Sequence, residues 1–223
     1  MRSDSYWQRC VFIMKESGGG VGRRNDQSKE TKLKKKDAGE QKSLEDYGII
    51  FVSGAIDGGT AQAVCEKIIG INVAEEADFI QLLINSPGGA CSAGFAIIDL
   101  MEWSRLPVYT TGVGMIASMA LAVFMAGEKG HRVITPRTSI LSHRFSAMSI
   151  GNHSELIAKR KEEDLMHRRL VRHYVEHTKL ETADQVTEHL LKDVDTWLDA
   201  EEAIEFGIAD VIQTRTGSPQ QVT

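Results

Sequence analysis

The stretch Phe79-Ile-Gln-Leu-Leu-Ile-Asn-Ser-Pro-Gly-Gly89 constrains the fold of this chain more than any other. Residues 79–85 are mostly apolar with no helical spacing, so they read as a buried strand. Pro87 fixes its own φ and lacks a donor, while Gly88 and Gly89 admit positive φ, so the strand must turn there. The pattern recurs: residues 47–53 form an apolar run ending at Gly54, and 107–113 form another. Helical patterns occupy 59–71, 93–103 and 117–127. Short strands are expected at 132–134 and 139–141, then helices at 154–177, 182–191 and 200–206. Strands alternating with helices imply βαβ units and a mostly parallel sheet covered by helices. No internal repeat is visible.

The chain has 223 residues, of which 42% are hydrophobic, enough for one α/β domain with a sizeable core. Its formal charge of −5 hides an asymmetry. Residues 1–43 carry 11 Lys and Arg against 6 Asp and Glu; the remainder carries 15 against 25. Between Glu16 and Ser43 there are almost no large apolar side chains to offset the entropy of ordering, so 1–43 reads as a flexible basic leader. The alternative is a nucleic-acid arm built on Lys32, Lys34, Lys35 and Lys36, but Asp37 and Glu40 dilute that patch, and no nucleic-acid partner is expected. A folded domain is expected over 44–215, with a tail at 216–223. No apolar run reaches the roughly 18 residues a membrane span needs, and Val11–Met14 is too short for a secretory core. Cys10, Cys65 and Cys91 are odd in number and widely spaced, which suits reduced thiols in a cytoplasmic protein.

Four segments carry residues able to do chemistry. At Asn85–Gly89 the turn exposes backbone N–H groups at the carboxyl end of a strand, where open α/β sheets bind ligands; a tight turn with no ligand reads equally from the residues. At Gly112-Val-Gly-Met-Ile-Ala-Ser-Met-Ala120, Ser118 sits where a helix begins, as an N-cap, as a core filler, or as a nucleophile beside amides able to hold an oxyanion. His143, in Ser139-Ile-Leu-Ser-His-Arg-Phe145, sits at the end of the apolar strand expected at 139–141. His173 and His177 are spaced i, i+4 but lack the HExxH pattern, so no metal site is expected and both read as surface histidines. In Asp193-Val-Asp-Thr-Trp-Leu-Asp199, Asp199 with Glu202 forms a capping box, whereas Asp195, near Trp197, is free to orient an imidazole.

In this order, Ile84–Gly89, Gly114–Ala120, Ser142–Phe145 and Asp195–Asp210 resemble the Clp serine protease family, the ClpP-type peptidases, over about residues 46–213. The resemblance implies an α/β, ClpP/crotonase-like fold of repeated ββα units, with a long helical handle at 154–177. It implies a serine endopeptidase cutting unfolded polypeptides inside a homo-oligomeric ring, heptameric and single or double, ATP-dependent only through an AAA+ unfoldase. Carried residue by residue, Ser118 falls on the nucleophile, His143 on the general base and Asp195 on the third triad member. The N–H groups of Gly89 and Met119 fall on the oxyanion-hole positions. No cofactor and no metal are implied.

The chain departs from the family pattern at several positions. Ala120 stands for a glycine, Arg144-Phe145 for Gln-Pro, and Ala147-Met148 for a glycine pair on the substrate-pairing strand. Val194 replaces an arginine that couples two rings, and Gln81 and Leu83 replace tyrosines of the unfoldase docking surface. These departures keep two alternatives in view: a dedicated processing protease of the same superfamily, and a non-catalytic ring subunit.

Overall fold

The computed structural model describes residues 43–214; the expected basic leader, except Ser43, and the expected tail lie outside the described residues. A 3₁₀ turn at Glu45–Tyr47 leads into β1 (Ile49–Ser53), α1 (Gly58–Ala74), β2 (Ile80–Ser86), α2 (Cys91–Trp103) and β3 (Val108–Ala117). There follow α3 (Met119–Met125), β4 (Arg132–Ile134), β5 (Ser139–Ser142) and α4 (His153–His177). The chain continues through α5 (Ala183–His189), β6 (Thr196–Leu198), α6 (Ala200–Glu205) and β7 (Val211–Ile212). The sheet runs β1-β2-β3-β4-β7, with β5 joining β3 and β6 joining β5. Every pairing is parallel except β5 with β6. This is the expected α/β architecture with a mostly parallel sheet and helices over it.

Strand side chains alternate faces, so Ile50, Val52, Leu82, Ile84 and Ile134 form one continuous row of fully buried residues. Against them pack Val64 and Ile68 of α1, Ile97 and Met101 of α2, and all seven residues of α3. Three helices begin with reciprocal capping boxes: Asn152 with Glu155, Thr182 with Gln185, and the expected Asp199 with Glu202. No helix among the described residues is long and apolar enough to cross a membrane.

Several boundaries differ from expectation. The third strand does not stop at 113 but continues to Ala117, and the following helix starts two residues later than expected. Gly112 and Gly114 lie inside the strand, where they allow a bulge rather than an end. The two-residue β7 and three-residue β6 are too short to leave a periodic signal; partner strands alone make them strands. Helix α4 is exposed along its first half and packs into the core along its second. Its first four turns stand largely in solvent, with Ile157 59% exposed, while Leu170, Val171 and Tyr174 enter the core.

The reading of His173 and His177 as surface residues is corrected. His173 is 5% exposed, and its Nε2 lies 2.8 Å from the Ala122 carbonyl of α3. His177 is half-buried, with its ring 4.3 Å from that of His173 and Nδ1 lacking a hydrogen-bond partner. They lie at the C-terminal end of α4, where it crosses α3, so polarity of residue type misled. Arg132, almost wholly buried, donates through Nε and Nη2 to Asp210 and through Nη1 to the His177 carbonyl. These bonds tie β4, α4 and the approach to β7, and match a charge that would otherwise be costly to bury.

Burial, with a smaller push from His177, lowers the His173 pKa to about 4; burial lowers that of His177 as well. Unfolding lets both imidazoles take up protons near their ordinary value. Stability should therefore be full above about pH 6.5 and decline as pH falls towards 4, by about 3 kcal/mol through His173. Urea midpoints measured between pH 7 and 4 should show this decline, and His173→Gln should flatten much of it.

Candidate active site

Ser118 stands between β3 and α3 with φ 55° and ψ −124°, and its side chain forms no cap bond. The N-cap reading of this serine is therefore set aside. Ser118 and Glu75 are the described non-glycine residues with positive φ. Such a conformation costs on the order of 1–3 kcal/mol and persists only where surroundings fix it. Here the fully buried α3 fixes one side. On the other, the Ser118 N–H donates to the Leu141 carbonyl at 2.8 Å, continuing the β3–β5 ladder.

The glycine turn closes against this serine. Ser86 Oγ donates to the Gly54 carbonyl at 2.6 Å and accepts from the Gly88 N–H at 3.0 Å, which sets the turn. Gly88 has φ 87°; a Cβ there would lie 2.5 Å from the Ala117 carbonyl and 2.8 Å from both Ser118 Cβ and the Met119 nitrogen. Gly89, at φ 155°, forms a parallel bridge with Ile56. Ile56 donates to the Gly88 carbonyl and Ala90 donates to the Ile56 carbonyl, each at 2.8 Å. This pattern turns the Gly89 N–H away from Ile56. Among the described residues, neither the Gly89 nor the Met119 N–H has an acceptor. Two free donors thus flank Ser118.

The other two expected residues arrive through strand register. Strands β5 and β6 pair antiparallel, with Ser142 opposite Thr196. Just beyond that last pair, His143 Nδ1 lies 3.8 Å from Asp195 Oδ1. The Asp195 link comes from this register and not from packing on Trp197, which is 55% exposed. Among the described residues no hydrogen bond joins Ser118 to His143. Behind His143, Ser142 is fully buried and its hydroxyl lies 2.9 Å from Tyr174 Oη. Burial raises the Tyr174 pKa to about 12, so this link stays neutral.

Sequence reading missed Asn85 as a support. Its Oδ1 accepts from the Met115 N–H at 3.2 Å, across the place where the β2–β3 register slips between Ile84 and Ser86. It missed Arg144 too, whose Nε donates to the Leu191 carbonyl at 2.7 Å and whose Nη1 reaches Asp193. Both contacts span chain separations that no local pattern reveals. No three His, Cys, Asp or Glu side chains are grouped to hold a metal among the described residues.

A family model described as Clp protease matches residues 34–216. The chain belongs to the Clp protease family. It is also 34% identical over 167 residues to the ATP-dependent Clp protease proteolytic subunit 2 of Rhodococcus jostii (strain RHA1), across 75% of this chain and 84% of that protein. The family's α/β sheet is the frame described above, and in this Clp protease family member the glycine turn, the strained serine and the β5–β6 edge converge at the carboxyl ends of the central strands.

The Gly88 turn has a direct test. Gly88→Ala forces a Cβ into the Ala117 carbonyl at a left-handed φ, so it should destabilise the protein by roughly 2 kcal/mol or more. Thermal unfolding of this variant beside Gly130→Ala, where the added Cβ meets open space at φ 90°, separates overlap from backbone strain alone.

Proposed function

We propose that this Clp protease family member is a serine endopeptidase with Ser118 as nucleophile, His143 as general base and Asp195 as the carboxylate that orients it. The observation that supports this reading is that Ser118 is hydrogen-bonded to Leu141 of β5, two residues before His143, whose Nδ1 lies 3.8 Å from Asp195 Oδ1. Asp195 beside Nδ1 leaves Nε2 to take the Ser118 proton as Oγ attacks a peptide carbonyl, and then to return it to the leaving amine. The developing oxyanion accepts from the Gly89 and Met119 N–H groups, which have no other acceptor among the described residues. Asp195 holds the imidazole tautomer and stabilises the imidazolium.

Substrate is unfolded polypeptide cut within a homo-oligomeric ring, to which the projecting half of α4 contributes. The relative's name, an ATP-dependent proteolytic subunit, supports pairing with an unfoldase ATPase. A second reading, a dedicated processing protease, is favoured by Gln81. Where the family pattern has a docking-surface tyrosine, this side chain is 7% exposed and its Nε2 donates to Thr111 Oγ1 at 3.0 Å.

A fluorophosphonate probe should label the wild type at one site and leave Ser118→Ala unlabelled, with peptide hydrolysis falling by about 10³-fold or more. Labelling that persists in Ser118→Ala overturns the nucleophile assignment. Intact-complex mass reads the ring from the same samples: a monomer counts against the chamber. Degradation of a generic unfolded protein together with a bacterial Clp ATPase counts against the processing reading.

A further inference from the structure

We propose that Arg144 is a positioning residue that holds Asp195 against His143, a reading that rests on the triad proposed above. Past Ser142 the chain leaves the β5 ladder, and residues 143–152 belong to no helix or strand. Asp195 likewise lies just outside β6, at the end of a link that leaves α5 at His189. Leu190 and Leu191 are fully buried and anchor the start of that link, while residues 192–195 are exposed. The β5–β6 pairing therefore fixes the two triad partners from one side only, through Ser142 and Thr196.

Arg144 supplies the missing constraint. Its guanidinium spans from the residue after His143 to the link that carries Asp195. Nε donates to the Leu191 carbonyl at 2.7 Å and Nη1 to Asp193 Oδ1 at 2.5 Å. A guanidinium fork holds two acceptors in a fixed relation, which a lysine ammonium does not. The Asp193 contact by itself is a solvent-exposed ion pair of small worth, with Asp193 84% exposed. The Leu191 bond is the sheltered one, so the tether acts through geometry more than through charge. It closes a frame of four corners: Ser142–Thr196 paired on one side, Arg144–Leu191 bonded on the other, with His143 and Asp195 between them. Without Arg144 the 192–195 link is free to move Oδ1 beyond its present 3.8 Å from the imidazole.

The test is a double-mutant cycle on the full chain, read by peptide hydrolysis and by the rate of Ser118 labelling with a fluorophosphonate. Arg144→Ala should lower kcat about tenfold with KM unchanged, and Arg144→Lys should fall between it and wild type. Asp193→Asn, which keeps the Leu191 bond, should cost little. In an Asp195→Asn background Arg144→Ala should have almost no further effect, since the group it positions is gone. A structural role would instead give the same loss in both backgrounds, and that additivity overturns the proposal. Wild-type rates in Arg144→Ala overturn it too, leaving the protease reading intact. If Arg144→Ala fails to fold, Arg144→Lys carries the same cycle. A wild type that neither labels nor hydrolyses overturns both readings together.

Discussion

Strand β3 is the constraint on which the remaining structure depends, because it must serve two neighbours on one side. Residues Thr110–Gly112 pair with β4, and Met115–Ala117 pair with β5. Between them the partner changes, and on its other side β3 takes two more residues than β2 to cover the same ground. Ile84 faces Gly112, but Ser86 faces Ile116. A bulge of this kind bends a strand and re-aims the residues beyond it. Gly114, at φ 68°, lies inside the slip, and Asn85 Oδ1 accepts the Met115 N–H that the ladder no longer satisfies. The bend carries Ala117 and Ser118 over to the glycine turn at the end of β2. Without it, β3 would continue along β4 and the serine would have no neighbours able to act on it.

From that bend the site assembles by register rather than by chain proximity. Ser118 is placed by the β3–β5 ladder, His143 by the end of β5, and Asp195 by the β5–β6 ladder. Side chains alternate along a strand, so slipping any ladder by one residue would turn a member of the set to the wrong face. The strain at Ser118, on the order of 1–3 kcal/mol, is a large part of a typical net stability of about 5–15 kcal/mol. The fully buried α3 behind it, running from Met119 to Met125, is what makes that strain sustainable.

Much of this was legible in the residues. The apolar runs, the Pro-Gly-Gly break and the capping box at Asp199 are local signals, and each lies close to where it was expected. The family match and the sheet architecture agree with the motifs that suggested them. What local pattern could not carry is pairing. Thr196–Leu198 is a strand because β5 lies beside it, and His173 is buried because α4 crosses α3 there. The same limit hid Arg144, a residue that departs from the family pattern and whose partners lie almost fifty positions away. Residue type alone marked the histidines as surface groups, and tertiary contact overrode it.

The two sides of the site differ in burial, and this bears on how it would work. Ser118 is backed by the core, between α3 and a glycine turn that leaves no room for an added methyl group at Gly88. His143 and Asp195 sit just past strand ends, with the His143 side chain 29% exposed and that of Asp195 58% exposed. Two unit charges about 4 Å apart interact by about 1 kcal/mol in bulk water and about 4 kcal/mol near a protein surface, where the effective dielectric is lower. Those energies apply to the 3.8 Å pair only when the imidazole carries a proton on both ring nitrogens. A polypeptide lying along this edge would displace that water just as Ser118 gives up its proton, and the carboxylate would gain strength when the imidazolium forms. On this argument the serine provides a fixed target. If His143 is the base proposed above, substrate occupancy, together with the proposed Arg144 tether, would set how well it performs.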